Sequence, residues 1–181
     1  MFNQNLKTAT QVWNAFSKFL AAQVLSKGRT VDTNMIGMFA PENVFWPSPD
    51  FLRASKLKMK SGSLSSETYD ELYANQLKAE PKPTALNFGS IALVCASSVR
   101  TENAYKILKE IFAQVVSSPH DQAFRLKLKG FGVLKINDGA QGYIEFVSLK
   151  ELEGIDELGK DQEPVDGSAA RAQRNSRKEA E

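Results

Sequence analysis

FRLKLKGFGVLKINDGAQGYIEFV, residues 124–147, is the stretch that decides the fold. Phe124, Leu126 and Leu128 alternate with Arg125, Lys127 and Lys129 before the pattern breaks at Gly130-Phe131-Gly132. A second run places Leu134 and Ile136 on one face, and a third spans Tyr143 to Val147. Period-two alternation bounded by turn residues predicts strands with one wet face. Asn137-Asp138-Gly139 between the last two runs supplies positive φ at little steric cost, a hairpin signal. The reading is a three-stranded antiparallel meander. Its apolar face needs a cover, which the helical material at 85–117 is expected to supply.

Working outward, Asn87 to Ala96 and Thr101 to Val116 both read as helices. Thr101 caps the second, and Tyr105, Leu108, Ile111, Phe112 and Val115 form its buried stripe. Pro81-Lys82-Pro83 ends a helix predicted over Glu67 to Ala79 and marks a domain boundary. That helix carries Tyr69, Leu72, Tyr73 and Leu77 on one side, too apolar to float free, after a flexible joint at 61–66.

The N-terminal part repeats the theme. A helix capped by Thr8 or Thr10 runs from Gln11 to Ser26, with Val12, Trp13, Phe16, Phe19, Leu20 and Val24 as its stripe and Gly28 as its stop. Extended runs follow at Thr30–Thr33, Met35–Ala40 and Val44–Trp46, with Pro41-Glu42-Asn43 as the last turn. Ser48-Pro49-Asp50 then starts a helix reaching about Lys58: a cap residue, proline at the first position and an acid in the first turn. Beyond Leu149 the chain is acidic with sparse apolar positions, and from Pro164 disorder is expected. The predicted division is 1–60, a linker at 61–83, 84–149, and a tail at 150–181.

Lys and Arg against Asp and Glu number 8 to 3 over residues 1–60, 1 to 4 over 61–80, 8 to 5 over 81–149 and 6 to 9 over 150–181. Two mildly basic regions with acidic connectors suit an acidic protein surface, nucleic acid or no charged partner at all. The single cysteine, Cys95, cannot make an internal disulfide and sits in the apolar run IALVCA as an expected inert thiol. No stretch is long and apolar enough to span a bilayer, and the N-terminus lacks a signal-peptide core, so an intracellular protein is expected.

His120, the sole histidine, lies in SSPHDQ beside Asp121. With no second histidine, cysteine pair or glycine-rich nucleophile turn, neither catalysis nor metal or cofactor binding is expected. Gly130 and Gly132 read as a bend between strands rather than an anion cradle, since no helix N-terminus follows them. The candidate interface residues are Arg125, Lys127 and Lys129 on one strand face, Trp46 beside Pro47, and the tail cations Arg171, Arg174, Arg177 and Lys178. Each has a bland reading: a solvated sheet face, a packing anchor and a charged tail.

The two halves also resemble one another, each an amphipathic helix followed by Gly-x-bulky apolar and a hairpin. Gly37-Met38-Phe39 lies 95 residues before Gly132-Val133-Leu134. This order resembles the HU/IHF fold, and more closely the tandem eukaryotic HU-like domains of the coiled-coil domain-containing protein 81 family. The first half carries the resemblance at Val12-Trp13, Lys27-Gly28, Ile36 to Phe39 and Phe45 to Phe51. The second carries it at Leu86 to Phe88, Ile91-Ala92, Tyr105 to Val116, Lys129 to Leu134 and Ile144 to Phe146. The resemblance implies an α+β fold of two small HU-like units, the first partial. It further implies a non-enzymatic scaffold of a cilium, basal body or centrosome with tubulin or axonemal and centrosomal proteins as partners. The rival reading is an HU-type nucleic-acid binder. It ranks lower because DNA-bending members carry a long basic arm, whereas the hairpins at 41–43 and 137–142 each hold an acid and no Lys or Arg.

Overall fold

The computed structural model describes residues 2–59, 66–95, 99–117, 123–136 and 142–149. Helix α1, Phe2–Leu20, continues into a wider π-helical turn, Ala21–Ser26, closed by Gly28 at φ +63°. Strands β1 (Val31–Asp32), β2 (Gly37–Ala40) and β3 (Val44–Pro47) lead to α2 (Pro49–Ser55) and β4 (Lys58–Met59). Then come α3 (Ser66–Lys78), β5 (Thr84–Ala85), α4 (Phe88–Val94), α5 (Thr101–Ser117), β6 (Phe124–Leu128), β7 (Gly132–Ile136) and β8 (Tyr143–Ser148). The fold is mixed helix and sheet, with two four-stranded sheets in the orders β3-β2-β1-β5 and β4-β8-β7-β6.

The sheet orders differ from a pair of plain meanders in one respect. β5, which opens the second half, pairs in parallel with β1 of the first half, with Val31 opposite Thr84. β4, which closes the first half, pairs in parallel with β8 of the second, with Lys58 opposite Tyr143. Each half thus lends a two-residue strand to the other's sheet. Elements this short carry no readable periodicity, which is why the sequence suggests three strands per sheet and the fold has four.

The core follows the same logic. One cluster of buried residues runs from Val12 on α1 through Phe39 on β2 to Phe112 on α5 and Ile144 on β8. Phe16 and Phe112 meet edge to face with centroids 5.5 Å apart, and Phe39 meets Phe131 at 5.5 Å and Phe146 at 5.7 Å. Such pairs add specific geometry to the burial of large apolar area. Met1–Val147 accordingly form one compact unit, and Ser148–Glu181 a second, of which only the first two residues are described.

Several local readings hold because their chemistry is local. Ser48 accepts from the Phe51 amide at 3.1 Å, with Pro49 at the first helical position and Asp50 in the first turn of α2. Asn87 caps α4 the same way, accepting from Ser90 N at 3.0 Å. The turn at Pro41-Glu42-Asn43 joins β2 to β3, with Ala40 opposite Val44. Glu42 and Asn43 both take positive φ there.

Other boundaries move. α1 starts at Phe2, not Gln11, because Thr8 and Thr10 are interior residues; the Thr10 hydroxyl bonds back to the Leu6 carbonyl at 2.9 Å. α2 stops at Ser55 rather than near Lys58, since Lys56 turns left-handed at φ 57° and releases the chain into β4. On α5 the buried stripe is Ala104, Leu108, Phe112 and Val115. Tyr105 is 40% exposed, its ring against Phe88 instead. In the run IALVCA, Ile91 and Ala92 are buried but Leu93 is 87% exposed, because α4 is only two turns long and turns that side outward.

Helix α3 packs on the face of the first sheet opposite the main core. Tyr69 and Tyr73 bury against Met38, with Trp46, Leu52 and Met59 around them, and the Tyr69 hydroxyl donates to the Pro47 carbonyl at 2.6 Å. Leu72 and Leu77 sit at the margin of that contact, each 37% exposed. Arg53 joins α2 to α3 through Asp70 at 2.9 Å and also pairs with Asp50 at 2.9 Å. These ion pairs are solvent-exposed, so they fix geometry more than they add stability.

Candidate binding surface

β6 is the outermost strand of the second sheet. Its inward residues are Phe124, Leu126 and Leu128, of which Leu128 is fully buried, while Arg125 and Lys127 are exposed on the other face; Lys129, expected on the same strand face, instead opens the turn after β6 and is exposed there. The alternation that makes the strand half-wet also puts two cations on one side, and Lys129 adds a third at the start of the turn. In register with β7, Arg125 stands opposite Lys135 and Lys127 opposite Val133. The Arg125–Lys135 juxtaposition adds a fourth cation, one that the sequence pattern does not reveal because it depends on the hairpin register.

The free edge of β6 is closed from the other half of the chain. Trp13 on α1 donates its indole N–H to the Lys127 carbonyl at 2.7 Å. Its ring is held by Phe16 at 5.2 Å and Phe112 at 6.1 Å. An edge carbonyl that would otherwise offer itself to another strand is therefore occupied. The turn after β6 is tightened by Phe131 N donating to Leu128 O at 2.9 Å, with Gly130 at φ +78°.

Gly132 has a steric role. A Cβ there would collide with the Val147 carbonyl and the Phe146 ring. Gly37 does the same on the first sheet, where a Cβ would collide with the Trp46 carbonyl, and its φ of +141° favours glycine. The two glycines of the sequence repeat thus mark one packing device used twice, a strand backbone laid against the next strand but one turn away.

Trp46 is not part of the basic strip. It lies on β3 in the first sheet, stacked on Tyr69 at 6.3 Å and 23°. Arg171, Arg174, Arg177 and Lys178 fall outside the described residues, as do His120 and Asp121. Cys95 caps the end of α4, half-buried, its thiol donating to the Ile91 carbonyl at 3.4 Å; burial pushes its pKa up, away from the reactive thiolate.

Two clefts flank these features. One of about 550 Å³ lies at the end of α4 between Gly89, Cys95, Val99 and Thr101. Another of about 300 Å³ separates β3 from β8 and is lined by Phe45, Pro47, Met59, Ile144 and Phe146. Among the described residues no group of His, Cys, Asp and Glu is arranged to hold a metal ion. No helix among them is long and apolar enough to cross a membrane. No known protein-family model matches the chain, and no curated protein shows significant similarity to it.

Proposed function

We propose that the chain is a non-enzymatic structural protein built from two HU-like units and working through protein–protein contacts. Its setting in this reading is a microtubule-based assembly: a ciliary axoneme, basal body or centrosome. The observation that carries the reading is the reciprocal pairing of the halves, with β4 lent to one sheet, β5 to the other, and Gly37 and Gly132 at matching places. A duplicated unit fused through a common core makes a rigid block with exposed faces, which suits a spacer or adaptor. The cellular setting rests on the sequence motifs that resemble the coiled-coil domain-containing protein 81 family. Tagging the protein in ciliated and dividing cells tests it. Signal at basal bodies, axonemes or centrosomes is expected; a diffuse or nuclear signal contradicts the reading.

A second reading, an HU-type nucleic-acid binder, is favoured by the exposed cations Arg125 and Lys127 on one face of β6 and Lys129 in the turn after it. The hairpin at Pro41-Glu42-Asn43 counts against it, since three residues with an acid cannot reach into a groove as a basic arm does. Titrating a labelled duplex near physiological salt should show weak, salt-sensitive and sequence-blind binding. Sub-micromolar affinity with bending of the duplex would put this reading first.

A further inference from the structure

We propose that the outward face of β6 binds an extended acidic peptide of a partner protein, with Arg125 and Lys127 meeting carboxylates on alternate residues and Lys129, in the turn that follows, meeting a further one. The proposal deepens the scaffold reading and rests on it only in taking the partner to be a protein. Residues two apart on a strand lie about 6.6–6.8 Å apart on one face. Alternate side chains of an extended peptide have the same spacing, so a run of Glu or Asp can pair with the strip in step.

Two further observations point the same way. Among the described residues, Arg125, Lys127 and Lys129 make no ion pair with a carboxylate. The strip is also held ready: Leu128 is buried beneath it and Trp13 fastens the edge through the Lys127 carbonyl. Less side-chain and backbone ordering then opposes binding.

The geometry also selects among anions. Because Trp13 occupies the Lys127 carbonyl, a partner strand cannot extend the ladder past that point, so the peptide lies on the side-chain face instead. Nucleic acid on a single strand gains much of its affinity from bases stacking on aromatic rings. Trp13, the ring at the strand edge, is packed on Phe16 and Phe112. Three cations also release few counterions.

Fluorescence-anisotropy titration of labelled octaglutamate into the purified full chain tests the proposal. Saturable binding is expected. Replacing Arg125, Lys127 and Lys129 together by Gln should weaken it by about tenfold, and each single change by about two- to fivefold, the range of exposed ion pairs. The triple variant Lys18→Gln, Lys27→Gln and Lys106→Gln removes the same charge from other exposed sites and should leave the affinity within about twofold of the parent. No binding, or equal weakening in both triple variants, overturns the proposal. So does tighter binding of a labelled oligothymidylate through the same three cations. Because the titration uses purified protein, its failure leaves the cellular localisation standing, and loss of localisation leaves the titration standing.

Discussion

The indole N–H of Trp13 and the carbonyl of Lys127, 114 residues apart in sequence, are joined by a hydrogen bond of 2.7 Å. It ties the first helix to the β6–β7 hairpin and closes the outer edge of the second sheet. Trp13→Phe keeps most of the ring packing against Phe16 and Phe112 but removes the donor, at an expected loss of about 1 kcal/mol. Trp13→Ala also empties the ring site and should lose about 3 kcal/mol, the lower end for a large aromatic because Trp13 is only half-buried. Urea denaturation of the two variants checks both. A Phe variant as stable as the parent would show that water serves the Lys127 carbonyl equally well.

Alkaline pH should loosen α3. Burial raises the phenol pKa of Tyr69 and of Tyr73 well above the usual 10.0. The neighbouring Tyr73 and Asp70 charges add to the effect at Tyr69, and Asp32 and Asp50 add to it at Tyr73. In the unfolded chain each phenol loses its proton near pH 10, while in the folded chain it keeps it. The unfolded state then binds fewer protons, so the stability from these groups is complete below about pH 10 and falls as pH rises further, by at most about 1.4 kcal/mol per pH unit for each phenol. Melting temperatures recorded between neutral pH and strong alkali should drop more steeply for the parent than for Tyr73→Phe. Tyr69→Phe should flatten the slope as well, from a lower starting point, because it also gives up the hydrogen bond to Pro47.

Gly37→Ala and Gly132→Ala should both destabilise, and Gly37→Ala the more. Each new methyl meets a backbone carbonyl of the adjacent strand, which cannot swing aside as a side-chain tip can. Forced overpacking costs about 1–3 kcal/mol. Gly37 adds a backbone strain of similar size because its φ of +141° is one that L side chains rarely adopt. Gly28→Ala serves as the comparison: its φ of +63° is strained but nothing lies within reach of the methyl. Thermal melts of the three variants should rank Gly37 lowest and Gly28 highest.

These sites show what could be read in advance. Strands 124–128, 132–136 and 143–148 were legible because period-two alternation and glycine breaks are local signals. So was the start of α2, whose cap, proline and acid act within one turn. The repeat of Gly37 and Gly132 was visible as spacing, though its cause, a strand backbone pressed on each glycine, lies in the packing of the sheets. What stayed hidden depends on contacts distant in sequence. β4 and β5 exist only because another half of the chain offers them an edge. Tyr105 and Leu93 lie in apolar runs, yet Tyr105 is half covered, by Phe88 alone among the described rings, and Leu93 faces outward on the two-turn α4. Of the candidate surface, Arg125 and Lys127 were readable from alternation alone; the same pattern carries Lys129 onto the strand, whereas the chain turns there. Lys135 opposite Arg125 and Trp13 at the strand edge were not readable that way.

The shared core decides how fragments should behave. Read from sequence, residues 81–149 hold two helices and a full meander and ought to fold unaided. In the fold, however, Phe112 is covered by Trp13 and Phe16, and Phe131 and Phe146 by Phe39. Cutting the chain near residue 80 exposes all of these at once and strips each sheet of its borrowed strand. Truncating even one buried phenylalanine costs about 3–5 kcal/mol, against a total of about 5–15 kcal/mol for a domain. Neither 1–79 nor 80–149 should therefore give dispersed amide resonances alone. Mixed at equal concentration, they should restore them, because every interrupted contact is intermolecular and can re-form. A stable, well-dispersed spectrum from 80–149 by itself would mean that the aromatic contacts between the halves contribute little, and the two-unit division would then describe independent folding domains.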